Sequence, residues 1–299
     1  MNDEFYRPSP IKRQRSTRHE VEARRADLLE IVDAGKPMTV RQVFYQATVH
    51  DLVPKTEEQG YRTVQNDLVI MRRTGELPYN WLADNTRWQR RPQTYSGIAA
   101  ALHDTAALYR KSLCDDADAY VEIWLEKDAL SGVIYPVTEL NDVALMVARG
   151  YSSLSFLYGA AEYIGSLEVP VFIYHLGDFD PSGVNAGEKI EQTLHEMAPD
   201  AEIHFERLAV TPEQIAQWNL PTRPTKTTDS RAKRFDSAVS VELDAIEPNQ
   251  LREIVREAIE RHLPPLQLAV LMAAERNERE LIQKLINGMT ANGDDLKGE

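Results

Sequence analysis

Short apolar runs in the second part of the chain alternate with longer amphipathic stretches. The runs YVEIWL, VALMVA and PVFIYHL are rich in β-branched residues, and a fourth strand is predicted in AEIHFERL. Such alternation is typical of a parallel sheet with helices on both faces. Two further helices, split by Pro264 and Pro265, are predicted after the sheet.

The first hundred residues have a mainly helical pattern. Residues 19–34 form one amphipathic helix that Gly35 stops, and Thr39 is a candidate N-cap for a second helix in VRQVFYQATVHDL. A third helix in YRTVQNDLVIMRRTGEL ends near Gly75, and PYNWLADNTRWQ is predicted as a short β wing. This order is that of a winged helix-turn-helix, whose third helix enters the DNA groove. A plain three-helix bundle is the alternative.

These patterns divide the chain into five segments. Residues 1–18 are predicted to be a disordered basic arm, and residues 19–96 a winged-helix DNA-binding domain. Residues 97–118 are a connecting helix and loop, residues 119–286 hold the mainly parallel sheet with a C-terminal helical extension, and residues 287–299 are a disordered tail. The expected fold class is therefore α/β with an all-α or winged-helix N-terminal domain.

Charge is distributed unevenly along the chain. Residues 1–100 hold 16 Lys and Arg against 13 Asp and Glu, whereas the remaining residues hold 18 against 34, for a net charge of −13. A DNA enzyme with a carboxylate metal site could have this distribution, and so could two unrelated surfaces. Cys114 is the only cysteine, which excludes an internal disulfide framework. No apolar run reaches the roughly 18 residues of a membrane span, so we expect a soluble, cytoplasmic protein with no membrane segment.

Acidic residues follow two of the predicted strands. Glu126 follows the first, and the segment GDFDPSG places Asp178 and Asp180 after the third. Open parallel sheets bind ligands at the carboxyl ends of their strands, and alternate residues of an extended chain point the same way. Such oxygen ligands suit Mg²⁺, which also binds substrate phosphates. A second Asp-x-Asp, at Asp116 and Asp118, precedes a strand and is interpreted as a solvated turn.

The motifs at these strand ends resemble those of a known domain. LEK at 125–127 and GDFDPSG at 177–183 look like the two Toprim motifs, and the second is particularly similar to that of topoisomerase VI A subunits and their meiotic double-strand-break relatives. The resemblance implies a Toprim-type sheet with magnesium bound by Glu126, Asp178 and Asp180. The chain is short for a full A subunit and looks closer to small, orphan versions of the family.

A tyrosine motif extends the resemblance to the N-terminal segment. TVRQVFYQ resembles the family's Arg-Asp-Ile-Tyr/Phe-Tyr signature, with Tyr45 at the nucleophile position and Arg41 four residues earlier, although Gln42 stands where an acid is common. Residues i and i+4 share a helix face, so Arg41 could hold the phosphate that Tyr45 attacks. The alternative is that Tyr45 and Phe44 only pack the helix into the core.

Other basic residues are candidate contacts to DNA phosphates. They lie in the third helix, after the predicted wing and in a late turn-rich loop: Arg72, Arg73, Arg87, Arg90, Arg91, Arg231, Lys233 and Arg234. Taken singly, each fits a solvated surface better than a DNA contact.

Three functions remain open from the sequence. The resemblance implies a homodimeric enzyme that cleaves double-stranded DNA through a 5′-phosphotyrosyl link, with Mg²⁺ as cofactor. Each active site would combine the tyrosine of one protomer with the metal site of the other, and a separate ATPase subunit would be a further partner. The second function is a Toprim endonuclease that uses water, with Tyr45 structural. The third is a non-catalytic DNA-binding component of a larger complex.

Overall fold

The computed structural model describes residues 16–83, 92–112, 117–150, 152–225, 235, 237–263 and 265–294. Most of the predicted basic arm and Cys114 lie outside these ranges. Six of the candidate DNA contacts also lie outside them: Arg87, Arg90, Arg91, Arg231, Lys233 and Arg234.

Three helices open the described chain, as the sequence predicts. They are α1 (Arg18–Gly35), α2 (Val40–Val49) and α3 (Arg62–Thr74). Thr17 and Thr39 form capping boxes that satisfy the free N–H groups at the starts of α1 and α2. Gly75 ends α3 in the left-handed conformation, with φ of 81°, which favours glycine.

A π-helical turn connects α2 to α3 over Glu57–Tyr61. Gly60 lies so close to Pro54 that a Cβ atom would stand 1.9 Å from the Pro54 carbonyl oxygen and 2.9 Å from the ring of Phe44. Only glycine fits this approach without a backbone shift. The turn thereby brings Glu57 against Arg41 of α2.

The predicted wing is described only in part. Tyr79–Trp81 forms a short 3-10 turn, after which Leu82 makes a single parallel bridge to Met38. Residues 78–83 thus contain no β ribbon of their own, and residues 84–91 lie outside the described ranges.

The central sheet has four parallel strands, which confirms the prediction from the apolar runs. They are β1 (Tyr120–Leu125), β2 (Ala144–Val147), β3 (Val171–Leu176) and β4 (Ile203–Ala209), in the order β2-β1-β3-β4. Helices α5 (Ser131–Leu140), α6 (Leu154–Ile164) and α7 (Pro181–Met197) connect them. The chain therefore leaves β1 towards one edge of the sheet and returns to β3 on the other side of β1.

Apolar side chains cover both faces of the sheet. On one face α6 and α7 pack around Trp124 and Ile173. On the other, α5 and α9 (Pro248–Glu260) pack around Ile123. The core of α1, α2 and α3 is continuous with this second cluster, so the N-terminal helices and the sheet share one hydrophobic core.

A two-stranded sheet and further helices lie outside the four-stranded sheet and its connections. After the short helix α8 (Pro212–Gln217), β5 (Arg223–Pro224) pairs antiparallel with β6 (Val239–Ser240). The last helix, α10 (Pro265–Asp294), packs on α4 (Ile98–Leu108). The described helix reaches Asp294 and so extends into the segment 287–299, for which the sequence predicts a disordered tail. None of the described helices combines the length and apolarity needed to cross a membrane.

We predict that Gly60→Ala destabilises the protein by about 3 kcal/mol, because the added methyl group must displace the Pro54 backbone. Urea unfolding at neutral pH measures the change in free energy. Gly159→Ala is the matched control, since Gly159 is exposed on α6 with open space around it and alanine there should be neutral or stabilising by up to about 1 kcal/mol. Equal stability of Gly60→Ala and wild type would contradict the close approach of Gly60 to the Pro54 backbone.

Candidate active site

The two central strands of the sheet end side by side in acidic residues. Glu126 follows β1 and Asp178 lies two residues after β3, and the Glu126 N–H donates to the carbonyl of Leu176 at 2.9 Å. The strand order reverses between β1 and β3, which is where open α/β sheets bind ligands.

Two glycines allow the acidic groups to approach each other. The Glu126 carboxylate accepts a hydrogen bond from the Asp178 N–H at 2.9 Å. A Cβ atom on Gly177 would lie 2.6 Å from Glu126 Oε2, and one on Gly183 would lie 2.9 Å from the same oxygen. Asp180 caps α7, since its Oδ1 accepts from the N–H groups of Ser182 and Gly183. The Glu126 carboxylate thus lies against the tight strand-to-helix turn that carries Asp178 and Asp180.

A partly buried arginine on β4 holds the backbone of this turn. Arg207 donates to the carbonyls of Val210 at 2.9 Å and Gly177 at 3.0 Å, and also to the carbonyl of Asp178. Burial lowers its pKa, although the charges of Glu126 and Asp178 oppose that shift. Arg207 therefore fixes the backbone that carries the acids and places a positive charge behind them.

The acidic groups have the chemistry of a site for a hard divalent cation. Burial, together with the charge of Asp178, raises the pKa of Glu126, and burial likewise raises the pKa of Asp178. A cation would relieve both effects. Among the residues that the structure describes, no three His, Cys, Asp or Glu side chains form a ready-made metal site. Magnesium commonly takes one or two carboxylates and completes its shell with water and phosphate oxygens, which Glu126 and Asp178 suit.

Lys127 is the cation nearest to these acids. Its Nζ lies 3.0 Å from Asp178 Oδ1 and 2.7 Å from Asp244 Oδ2. Burial disfavours the charged amine, yet the surrounding carboxylates raise the pKa of Lys127 overall. The amine therefore remains charged and partly neutralises Asp178.

Glu242, two residues after β6, contacts three cationic side chains. Arg41 donates to it through two nitrogens, at 3.0 and 2.9 Å, and Arg223 Nη1 donates at 2.7 Å. Lys127 Nζ lies 3.5 Å away. Burial would raise the pKa of Glu242, but these partners lower it to about 2. Glu242 thus ties together α2, β5 and the end of β1.

Tyr45 is buried, with 2% of its surface exposed, and its hydroxyl ends in this charged cluster. The hydroxyl accepts a hydrogen bond from Arg223 Nη2 at 2.9 Å. Arg41, the predicted partner of Tyr45, lies over its ring with the guanidinium carbon 5.9 Å from the ring centre and pairs with Glu242 and Glu57 instead. Burial and the charge of Glu242 raise the pKa of Tyr45, while Arg223 and Arg41 oppose the rise.

A cleft of about 160 Å³ joins the two parts of the site. Its lining includes Asp178, Asp180, Arg223 and Glu242. Within a single chain, Arg223 therefore contacts the Tyr45 hydroxyl and lines the same cleft as the two aspartates. A larger hollow, of about 950 Å³, lies at the opposite edge of the sheet, where the strands begin and parallel sheets do not usually bind ligands.

Sequence reasoning gave no role to Arg223, Glu242, Asp244 or Glu57, and it included Lys127 only as part of the LEK motif. The segment VELDAI, which contains Glu242 and Asp244, resembles a family segment of the form Ala-Glu-Leu/Ile-x-Ala-Leu, and this likeness is a signal that could have found them. Arg223 lies between prolines in an irregular stretch, where no pattern distinguishes it from a solvated arginine.

Of the candidate DNA contacts, the structure describes Arg72 and Arg73. Arg72 is partly buried, and its guanidinium carbon lies 4.5 Å from the ring centre of Tyr79. Arg73 is exposed. Other exposed residues lie along α3, both polar and apolar: Arg62, Gln65, Asn66, Val69 and Ile70.

Neither a scan against protein-family models nor a search of curated proteins finds a match to this chain. The resemblance to the topoisomerase VI A family therefore rests on the motifs around Tyr45, Glu126 and Asp178.

We predict that Glu242→Gln destabilises the protein by about 2–3 kcal/mol at neutral pH, because two pKa units correspond to about 2.7 kcal/mol. The pKa of Glu242 is lowered by folding, so its stabilising effect is complete above the unfolded value of about 4.3 and is lost as the pH falls to about 2. Urea unfolding between pH 7 and pH 3 measures the difference from wild type. Glu162→Gln, at an exposed position on α6, should change stability by less than about 0.5 kcal/mol. A difference for Glu242→Gln that does not shrink in acid would contradict the assignment.

Proposed function

We propose that this protein cleaves double-stranded DNA in a Mg²⁺-dependent transesterification, with Tyr45 as the nucleophile. The observation that carries the proposal is the position of the Tyr45 hydroxyl. It is bonded to Arg223, which lines the same cleft as Asp178 and Asp180. A phosphate in that cleft would contact Arg223 and lie beside the aspartates, close to the hydroxyl of Tyr45 to which Arg223 is bonded.

Glu126 and Asp178 are the residues proposed to hold the metal ion, with Asp180 beside them at the start of α7. When bound, the ion would stabilise negative charge on the phosphate in the transition state. Lys127 pairs with Asp178, and Arg207 fixes the turn that carries the aspartates. These contacts orient the acids before DNA arrives.

The proposed reaction exchanges one phosphodiester for another. A bond forms between the Tyr45 oxygen and phosphorus while the bond from phosphorus to the 3′ oxygen breaks. Solvent takes the phenol proton and supplies one to the leaving 3′ oxygen. Because a phenol with pKa about 10 is only about 0.1% ionised at pH 7, and burial raises that pKa further here, nearby cations must favour the phenolate.

The N-terminal helices are the proposed DNA-binding part. The exposed face of α3 carries Arg62 and Arg73 at its two ends with Gln65 and Asn66 between them. Amide and guanidinium groups on one helix face suit contacts to base edges and phosphates in the major groove. A homodimer, as the resemblance implies, would present two such helices. The proposed site combines Tyr45 with the acids of the same chain, whereas the resemblance implies a tyrosine and a metal site from different protomers.

Burial of Tyr45 favours one alternative. With 2% of its surface exposed, this residue also fits a structural role, and water would then be the nucleophile at the same acids. The chain would be a Toprim-like endonuclease that leaves no protein attached to the DNA.

We expect the wild type, incubated with supercoiled DNA and Mg²⁺ and stopped with denaturant, to yield nicked or linear DNA with protein attached to the 5′ ends. Tyr45→Phe should abolish the attachment and the cleavage. Asp178→Asn should lower both by at least about 100-fold, because the charge that would bind the metal is removed. Electrophoresis with and without protease digestion measures both.

Tyr158→Phe and Asp118→Asn are matched controls at exposed positions away from the cleft, and both should behave as wild type. Cleavage that Tyr45→Phe retains and Asp178→Asn loses would establish the water-dependent nuclease. DNA that the wild type binds but leaves intact would establish the non-catalytic component instead.

We predict that Arg73→Ala weakens DNA binding at every sequence tested and lowers the slope of log affinity against log salt by about 1, as expected for loss of one phosphate contact. Fluorescence anisotropy at several salt concentrations measures both quantities. Arg276→Ala, at an exposed position on α10, is the control and should leave the slope unchanged. An unchanged slope for Arg73→Ala would exclude the end of α3 from the DNA interface.

A further inference from the structure

The two arginines around Tyr45 differ in their access to the cleft. Both pair with Glu242 and Glu57, Arg41 with 23% of its side chain exposed and Arg223 with 41%. Arg223 also lines the cleft with Asp178 and Asp180, which Arg41 does not. Of these two arginines, Arg223 is therefore the one placed to touch a phosphate in the cleft.

Arg223 is also the arginine in contact with the reacting oxygen. Its Nη2 donates to the Tyr45 hydroxyl at 2.9 Å, so it approaches the lone pairs of that oxygen. The same bond becomes charge-assisted, and about twice as strong, when the oxygen is a phenolate. Both guanidinium carbons lie about equally far from the centre of the Tyr45 ring, 5.9 Å for Arg41 and 6.0 Å for Arg223, so the hydrogen bond to the oxygen is what distinguishes Arg223.

We propose that Arg223, and not Arg41, is the catalytic arginine of this site, and that it holds the Tyr45 oxygen while that oxygen attacks a DNA phosphate. Arg41 is a positioning residue, because its paired bonds to Glu242 fix the carboxylate that in turn holds Arg223. This inference rests on the proposed transesterification and names the group that would activate its nucleophile.

In the proposed step the Tyr45 oxygen bonds to phosphorus, the bond to the 3′ oxygen breaks, and solvent carries the proton from one oxygen to the other. Arg223 stays charged throughout. Four ionisable groups influence the phenol: Glu242 opposes its ionisation, whereas Arg223, Arg41 and Lys127 favour it. Among the described residues, Arg223 is the one that donates a hydrogen bond to the Tyr45 oxygen, so its removal would leave the phenolate without that donor.

The test compares Arg223→Gln, Arg223→Lys and Arg41→Gln in the denaturant-trapped attachment assay, each with tyrosine or 3-fluorotyrosine at position 45. Fluorotyrosine ionises at lower pH, so it depends less on a cation. We expect Arg223→Gln to slow attachment by about 100-fold or more and to move its pH dependence to higher pH. Fluorotyrosine should restore at least about ten-fold of that loss, since the phenolate becomes easier to form.

Arg223→Lys should keep the pH dependence closer to wild type, because the charge remains while the planar fork is lost. Arg41→Gln should be slowed without specific rescue by fluorotyrosine, and Arg276→Gln on α10 should match wild type. Melting curves and DNA affinity establish that each variant is folded.

Outcomes separate the two levels of the proposal. If the wild type forms no attachment, the transesterase function fails, and this inference fails with it. If the wild type reacts and a folded Arg223→Gln reacts equally fast, only the role of Arg223 is overturned. Equal rescue of Arg41→Gln and Arg223→Gln by fluorotyrosine would also overturn it, because the two arginines would then act alike.

Discussion

The pairing of one carboxylate, Glu242, with cations from three parts of the chain is the interaction on which the site depends. It joins Arg41 of α2, Arg223 of β5 and Lys127 at the end of β1. Burying charge is costly unless each group is paired, so no member of this set can be removed without leaving another uncompensated. The same pairs hold the N-terminal helices against the carboxyl ends of the central strands, where Glu126 and Asp178 lie. Electrostatic pairing and the shared hydrophobic core therefore fix the same arrangement.

Elements set by local pattern could be predicted from the sequence. The apolar runs YVEIWL and PVFIYHL became β1 and β3 almost residue for residue, because β-branched runs bounded by polar turns have few other solutions in a chain of this kind. Thr39 and Gly75 marked helix ends, since capping and a left-handed conformation depend on side chains close in sequence. The rule that parallel sheets bind ligands at the carboxyl ends of their strands likewise predicted that Glu126 and Asp178 lie close together.

What could not be predicted was the pairing of charges far apart in sequence. Arg41 and Glu242 are 201 positions apart, and Tyr45 and Arg223 are 178 apart. A charged residue in an irregular stretch has the same sequence signature whether it is solvated or buried against a partner. Helical spacing predicted that Arg41 holds the phosphate that Tyr45 attacks, but it gave no sign that Arg223 donates to the Tyr45 hydroxyl. The π-turn that brings Glu57 to Arg41 depends on Gly60 and on the Pro54 backbone, which no periodicity reveals.

The ion pairs that hold the site together also bear on how a buried phenol could react. In the free protein, burial and Glu242 keep Tyr45 protonated, and the cations that favour its phenolate are already paired with carboxylates. On the proposed function, DNA must change that pairing. Phosphate, like carboxylate, accepts two parallel bonds from a guanidinium, so a phosphate in the cleft can share Arg223 with Glu242. Arg223 would then contact the phosphate and the Tyr45 oxygen together, so that binding of DNA brings the nucleophile and the phosphorus it attacks to the same cation.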